Sequence, residues 1–408
     1  MKKLTLVLFA HCLLIGHVNA QSPSNFSLGF ADSVRSIILK EHRPLLIYTP
    51  YQGKRSRTAT AERYPVLYVL DGENNFRSVA ITVERLADMG LCPPMIVVGI
   101  PNTDRSRDLT PTTVANNADG VKNSGGGEHF LSFIEKELIP HIDSNYLTAP
   151  YKLLMGHSLG GLMVVQAMVH HKSLFNSYIA IEPSIWWDGH KVLNEAKNAI
   201  EKESYAHQTL FLAIANHMEK GVDTTAVQTD TSDQTELTRY NLELIHHVHQ
   251  HPENKLRFAT MYYPNDNHGT VPLIAAYDAL RFIFDYYAFP KYSEYQISNP
   301  NLPAVITAHY RKITEELGYQ VFPDESLVNN LGYYALRSKK FDMAGKLFAL
   351  NVLNYPRDAN PQDSYGDYYL AKEDNNNAIL CFKRALAIKE IPETRAKLDL
   401  LLNAIKPN

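Results

Sequence analysis

Short, continuous apolar runs recur along the first two thirds of the chain, and longer segments with an apolar residue at every third or fourth position separate most of them. The runs predict strands and the longer segments predict helices. The predicted strands are 34–39, 45–49, 66–70, 95–100, 153–156, 178–181, 210–215 and 258–263. The first two form a hairpin that turns at 40–43, and helices such as 128–142 and 272–286 alternate with the rest. The pattern therefore predicts an α/β fold, with a mainly parallel sheet covered by helices on both faces.

The pattern changes after Ala288. A connector that contains proline and asparagine is followed by a helix with an apolar face, and beyond Asp324 the chain repeats itself. The residues Gly332, Leu336, Ala344 and Phe348 recur 34 positions later as Gly366, Leu370, Ala378 and Phe382. This is the period of tetratricopeptide repeats; a pair of generic helical hairpins is the alternative. Two units and a last helix, 394–405, are fewer than a free-standing array needs, so we expect them to pack against the α/β domain.

The N-terminal residues differ in composition from the rest of the chain. Two lysines precede an apolar run from Leu4 to Ile15, and Val18-Asn19-Ala20 has the small-residue spacing of a cleavage site. This predicts a bacterial-type secretory signal peptide and a periplasmic or secreted protein, because the run is short for a membrane anchor. The predicted division of the chain is 1–20 signal peptide, 21–290 α/β domain, 291–324 linker and connecting helix, and 325–408 helical repeats.

Composition narrows the classes of partner. The 408 residues include 40 Lys and Arg against 43 Asp and Glu, a formal charge of −3, which gives no reason to expect a nucleic-acid partner. Of the three cysteines, Cys12 lies in the predicted signal, and Cys92 and Cys381 fall in different predicted domains, so a disulfide framework is not expected. The pairs His170-His171 and His246-His247 lie in helical patterns and are interpreted as solvated surface, so no metal and no cofactor is predicted.

The stretch Gly156-His157-Ser158-Leu159-Gly160-Gly161 lies between a predicted strand and an apolar helix. G-x-S-x-G in this setting is the nucleophile elbow of α/β-hydrolases, although an ordinary turn that carries a serine is the alternative. The turn would expose the Ser158 hydroxyl and aim the Leu159 amide at a developing oxyanion. A second oxyanion donor should follow strand 66–70, at the backbone of Gly72 or Glu73.

The partners of the serine should follow it in the order acid, then histidine. His268 is the candidate base, because it lies in the loop directly after the last predicted strand. The acid is expected after strand 210–215, where Glu219 is preferred to Asp223 by a narrow margin; Asp188, after the preceding strand, is an outside alternative. The long polar loop 101–127 is either an active-site flap or a plain surface excursion.

Several stretches resemble one family. They are 66–72, 99–105, Glu137-Leu138-Ile139-Pro140, 156–161, Pro183-Ser184-Ile185-Trp186-Trp187 and His268-Gly269. Together they are similar to the esterase D-like "putative esterase" branch of α/β-hydrolases, which includes enterochelin (siderophore) esterases, feruloyl esterases and mycolyl transferases. The resemblance covers residues 34–288.

The resemblance implies metal-free serine hydrolysis of esters, with Ser158 as nucleophile and His268 as base. By similarity to siderophore esterases, Arg105, Trp186 and Trp187 would line the substrate pocket; a loop salt bridge and core packing are the alternatives. Three functions stay open: an esterase for a small-molecule or glycan-linked ester, an acyltransferase on the same triad, and a non-catalytic protein that binds a protein partner through its repeats.

Overall fold

The structure is a computed structural model that describes residues 28–50, 63–114, 123–216, 224–227, 229–289 and 296–405. The predicted signal peptide, 1–20, lies outside these ranges, as do two acid candidates, Glu219 and Asp223.

An eight-stranded sheet forms the centre of the α/β domain. Its strands are β1 (Phe30–Ser36), β2 (Glu41–Tyr48), β3 (Tyr64–Leu70), β4 (Ile96–Ile100), β5 (Thr148–His157), β6 (Ser177–Ile181), β7 (Thr209–Ala215) and β8 (Arg257–Tyr263). They lie in the order β1-β2-β4-β3-β5-β6-β7-β8, with β2 antiparallel to both of its neighbours and every other pair parallel. This confirms the predicted fold class.

The predicted position of the first turn was wrong. The chain turns at 37–40, where Lys40 has a φ of 58°, and residues 41–43 already belong to β2. The apolar residues of this turn resemble a strand in sequence. A distant side chain holds the turn, since the Glu137 carboxylate accepts hydrogen bonds from the backbone amides of Ile37 and Ile38 at 2.9 and 3.2 Å.

Helices cover both faces of the sheet, as predicted. Those of the α/β domain are α1 (Gly72–Asp88), α2 (Arg105–Asp108), α3 (Gly127–Phe133), α4 (Ile139–Asn145), α5 (Leu159–His170), α6 (Trp187–Lys202), α7 (Thr224–Val227), α8 (Glu236–Gln250) and α9 (Val271–Ile283). Alternate residues of β3 belong to two separate cores, with Tyr68 on the side of α5, α6 and α8, and Leu67 on the side of α1 and α9. Period-two alternation within an apolar strand thus builds two buried layers.

The predicted helix 128–142 is divided. A π-helical turn, Ile134–Leu138, joins α3 to α4, and Pro140 is the second residue of α4. Proline has no amide proton and its ring crowds the preceding turn, so a regular helix is disfavoured at this point.

In the described part of the chain, six helices follow the α/β domain. They are α10 (Leu302–Leu317), α11 (Glu325–Arg337), α12 (Phe341–Asn354), α13 (Ala359–Ala371), α14 (Asn375–Ile388) and α15 (Pro392–Ile405). Helix α10 joins the two parts, because Ile313 and Leu317 pack into the core around α1 and α9 whereas Leu302 and Ile306 pack with α11 and α12. The first hairpin thus reaches the α/β domain through α10, whereas direct packing of the repeats on the α/β domain stays a prediction.

Matched glycine–phenylalanine contacts hold the two helical hairpins. A Cβ placed on Gly332 would lie 2.7 Å from the Phe348 ring, and one placed on Gly366 would lie 2.4 Å from the Phe382 ring. Both rings are fully buried. Residues 34 positions apart thus occupy equivalent places in successive hairpins, whereas the assignment of these hairpins to tetratricopeptide repeats and the exact domain boundaries stay predictions.

None of the helices in the described ranges is long and apolar enough to cross a membrane.

Candidate active site

Ser158 lies at the apex of a tight turn between β5 and α5. Its φ of 61° and ψ of −117° place a non-glycine residue in a strained conformation. The flanking glycines allow the turn to close: a Cβ on Gly156 would lie 2.3 Å from the Gly160 carbonyl oxygen, and one on Gly161 would lie 2.9 Å from the Ile181 carbonyl oxygen. The sequence around Ser158 therefore has the local geometry expected of a nucleophile elbow.

His268 reaches this turn from the loop after β8. Its ring centroid lies 4.3 Å from that of His157, the residue directly before the serine. Its Nδ1 lies 3.2 Å from Oε2 of Glu182, and the Glu182 side chain has no exposed surface. A carboxylate that accepts the Nδ1 proton fixes the orientation of the ring. Nε2 is then the nitrogen that can accept a proton in a reaction.

Glu182 was not among the predicted acids. It is the first residue after β6, with a φ of 47°, and its second carboxylate oxygen, Oε1, accepts the Ala215 amide at 2.6 Å. Its own backbone amide donates to the Ala213 carbonyl at 2.9 Å. The side chain is thus fixed between β6, β7 and the loop that carries His268. Its place at the carboxyl end of a predicted strand was the sequence signal that could have identified it.

The acids that the sequence favoured are placed differently. Glu219 and Asp223 lie outside the described residues, and Asp188 is exposed in a kinked stretch where α6 begins. Among the described residues, Glu182 is the carboxylate that forms an ion pair with His268.

The loop after β3 lies against the start of α5. A Cβ on Gly160 would be 3.2 Å from Oδ2 of Asp71, the residue before Gly72. Gly72 itself packs so closely on β4 that a Cβ would lie 2.5 Å from the Ile100 amide nitrogen. Gly72 and Glu73 begin α1 and Leu159 begins α5, and the first amides of a helix have no acceptor within that helix. The structure therefore brings the ends of the two helices with the predicted oxyanion donors close together.

Arg105 binds the same loop. Its Nε and Nη2 donate to the two Asp71 oxygens at 2.6 and 3.1 Å, and Asn102 donates to Oδ1 of Asp71 at 2.6 Å. The Arg105 side chain is 37% exposed, and its Nη2 also approaches the His157 carbonyl oxygen at 3.4 Å. This side chain forms the salt bridge that was one of its two predicted roles, at a position next to the elbow.

The two tryptophans have different surroundings. Trp187 is 2% exposed, and its Nε1 donates to the hydroxyl of Thr112 at 3.1 Å, which ties the start of α6 to the loop 101–127. Trp186 is half-buried, with its ring centroid 6.0 Å from that of Trp187. Core packing therefore describes Trp187, and Trp186 retains surface that a substrate could contact.

The loop 101–127 is anchored at both described ends. Arg43, a fully buried residue of β2, pairs with the buried Asp108 at 2.5 Å, and the Gly127 amide donates to the Thr110 carbonyl at 2.9 Å. Residues 115–122 of the predicted flap lie outside the described ranges.

His157 has a low proton affinity. Burial lowers its pKa to about 4, and the positive charge of His268 contributes in the same direction. Its Nε2 has no hydrogen-bond partner among the described residues. The His157 ring is therefore neutral near neutral pH.

Comparisons with known proteins agree with this geometry. A family model described as "Putative esterase" matches residues 36–278, which include Ser158, Glu182 and His268. The ferri-bacillibactin esterase BesA of Bacillus subtilis (strain 168) is 30% identical over 185 residues, covering 41% of this chain and 64% of that protein. The siderophore triacetylfusarinine C esterase of Aspergillus fumigatus is 31% identical over 158 residues, covering 35% of this chain and 52% of that protein. The matches thus span between about half and two thirds of the length of these relatives.

One solved structure matches this chain over almost all of its own length. An IroE-like serine hydrolase from Shewanella oneidensis is 30% identical, covers 79% of this chain and 98% of its own, and superposes with a TM-score of 0.66. Together with the family match over residues 36–278, this shows that the chain belongs to the "Putative esterase" family of α/β-hydrolases.

Proposed function

We propose that this protein is a serine esterase in which Ser158 is the nucleophile, His268 the general base and Glu182 the acid of the triad. The observation that carries the proposal is the 3.2 Å contact between His268 Nδ1 and the fully buried Glu182, beside a strained serine turn. The family match and the similarity to a serine hydrolase structure support the same assignment.

The geometry suits acyl transfer through a covalent intermediate. Because Glu182 holds Nδ1, Nε2 of His268 is the nitrogen that would take the proton of Ser158 as Oγ attacks the ester carbonyl carbon. The tetrahedral intermediate then collapses, the alcohol leaves with that proton, and the serine stays acylated. Water attacks the acyl-enzyme with the same proton transfers and releases the acid. The Glu182 carboxylate stabilises the imidazolium formed in each half-reaction.

The oxyanion would lie between two helix starts. The Leu159 amide at the start of α5 and the Gly72 or Glu73 amide at the start of α1 would donate to it, and both ends carry the partial positive charge of a helix N-terminus. The Asp71–Arg105 pair supports the α1 side of this arrangement, because it fixes the residue before Gly72.

The named relatives support a siderophore-type ester as the substrate. Other small esters and glycan-linked esters are the alternatives. The exposed surface of Arg105 beside the elbow and of Trp186 after the loop that begins at Glu182 supports contact of both side chains with this substrate. The predicted signal peptide supports action outside the cytoplasm. The 34-residue equivalence of the helical hairpins supports tetratricopeptide-like repeats that contact a protein partner.

The decisive experiment compares the purified protein with Ser158→Ala on p-nitrophenyl acetate, butyrate and octanoate. Loss of a triad nucleophile costs about 10⁶ in kcat in the best-studied case, so we expect turnover to fall to background. A fluorophosphonate should label the unmodified protein at Ser158 and leave the variant unlabelled. Equal rates for the two proteins, or no labelling of Ser158, would refute the esterase and favour a binding protein that acts through its helical hairpins.

A further inference from the structure

Three side chains with metal-binding atoms meet where α6 and α8 end. Glu201 lies one residue before the end of α6, His247 lies in the last turn of α8, and His251 directly follows the last residue of α8. Their ligand atoms all lie within 4.8 Å of one another. His247 is buried, with 8% of its surface exposed, which corrects the prediction that the His246-His247 pair is solvated surface.

The distance between two of these atoms is that of metal ligands. Nε2 of His247 lies 3.4 Å from Oε1 of Glu201. With bonds of about 2.0–2.1 Å, two ligands of a tetrahedral Zn²⁺ lie about 3.3 Å apart. The two rings have centroids 4.6 Å apart, as expected for histidines at positions i and i+4 of one helix.

We propose that Glu201, His247 and His251 form a site for a divalent transition-metal ion of the zinc class. Two imidazoles and one carboxylate are ligands that suit Zn²⁺ and its neighbours rather than Mg²⁺ or Ca²⁺. The C-terminal ends of α6 and α8 also converge here, and the partial negative charge of each end favours a cation. The half-exposed Glu201 leaves a fourth position open to water.

One further carboxylate orients the site. Oε1 of Glu253 lies 2.9 Å from Nδ1 of His251, so a proton on Nδ1 leaves Nε2 as the ligand. Histidine ligands commonly use their second nitrogen in this way. His247 Nε2 also lies 3.0 Å from the Lys197 carbonyl oxygen, and a metal bond would replace that contact. The Lys197 ammonium forms a salt bridge with Oε1 of Glu243 at 2.7 Å.

The ion would connect two helices that support the acid loop. Helix α6 follows the loop that begins at Glu182, and Asn241 of α8 donates to the Pro183 carbonyl oxygen in that loop at 2.9 Å. The proposed site would therefore stabilise the fold around the triad, and the ester chemistry at Ser158 would proceed without it.

The test is calorimetric titration of Zn²⁺ into the metal-stripped full chain, purified without a histidine tag, together with its melting temperature with and without Zn²⁺. We expect one ion per chain and a higher melting temperature. His251→Ala and Glu201→Gln, both at partly exposed positions, should abolish binding, and Glu253→Gln should weaken it about tenfold or more. His246→Ala is the matched control, since His246 is exposed on the same helix and outside the cluster.

Two results would overturn the proposal. Absence of saturable binding to the unmodified chain would show that the three side chains do not hold the ion. Retained binding in both His251→Ala and Glu201→Gln, or an equal loss in His246→Ala, would show adventitious binding by surface histidines. Selective loss in the cluster variants together with normal binding in His246→Ala would support the site.

Discussion

Two of the regions in which non-glycine residues have positive φ angles differ in their chemistry. At the carboxyl ends of the parallel strands, Asp71, Ser158 and Glu182 have φ values of 50°, 61° and 47° directly after β3, β5 and β6. In the helical segment, Lys339 and Glu373 have φ values of 58° and 59° after α11 and α13. All five are residue types for which this conformation costs free energy.

The second group ends helices. The Lys340 amide donates to the Ala335 carbonyl and the Asp374 amide to the Tyr369 carbonyl, each at 2.9 Å, as in a Schellman motif. Glycine is the usual residue there, so the side chain has no special task. In the first group the side chains carry the proposed chemistry and its support. At the sheet, the strained positions therefore need their particular side chains. In the hairpins, the strained positions serve only to turn the chain.

After Ser158→Ala, the largest expected effect is that of Glu182→Gln. The amide cannot stabilise a charged His268 or fix its tautomer, so kcat should fall by about 10³–10⁴ while the fold is kept. Ester hydrolysis by matched preparations measures it. Asp188→Asn, at an exposed position near the same loop, should stay near the unmodified rate.

The variants Glu219→Gln and Asp223→Asn sharpen this assignment. If either reduced kcat more than Glu182→Gln does, the acid would lie after β7, as the sequence favoured, and Glu182 would be structural.

In the helical segment we expect a loss of stability without a loss of chemistry. Phe382→Ala removes a fully buried ring that packs on Gly366 and should lower the free energy of unfolding by about 3–5 kcal/mol. Leu380→Ala, at a 45% exposed position of the same helix, should cost about 1 kcal/mol or less. Denaturant unfolding measures both, and a kcat at 25 °C that fell with Phe382→Ala would show that the two regions are coupled.

A smaller effect is expected from pH. In the unfolded chain His157 takes up a proton near pH 6.5, whereas in the folded protein burial and the charge of His268 lower its pKa to about 4. Stability from this residue is therefore complete above pH 6.5 and declines as pH falls toward 4, by up to about 3 kcal/mol. His157→Gln should flatten that part of the stability profile, measured by denaturant unfolding between pH 7.5 and 4.5. An unchanged slope would mean that His157 is protonated alike in both states.

The smallest effect compares the two kinds of strain directly. Glu373→Gly should leave kcat unchanged and alter the free energy of unfolding by about 1 kcal/mol or less, in the stabilising direction, since glycine tolerates the left-handed turn. Glu182→Gly should lower kcat by about 10³–10⁴ in the same assay, as Glu182→Gln does. A large loss of stability in Glu373→Gly would show that its side chain makes contacts that the turn alone does not explain.

The sequence by itself determined the features that depend on local chemistry. Apolar runs predicted strands β3 to β8, because strands inside a covered sheet need them, whereas the first hairpin was predicted with its turn misplaced. The glycines around Ser158 predicted the elbow, and at Gly156 the reason is local, because a Cβ there would clash with the Gly160 carbonyl four residues away. His268 was predicted from its place after the last strand, and the hairpins from matching residues 34 positions apart.

Only the tertiary structure decided which distant residues meet. Glu182 lies on His268, 86 residues away, and Glu137 holds the turn after β1, 100 residues away. Glu201 approaches His247 across two helices. The local sequence pattern indicates periodicity and turn geometry. A carboxylate acquires a distant partner only when strand order and helix packing fix its surroundings. The sequence could therefore propose Ser158 and His268 as nucleophile and base, whereas the pairing of Glu182 with His268 required the assembled sheet.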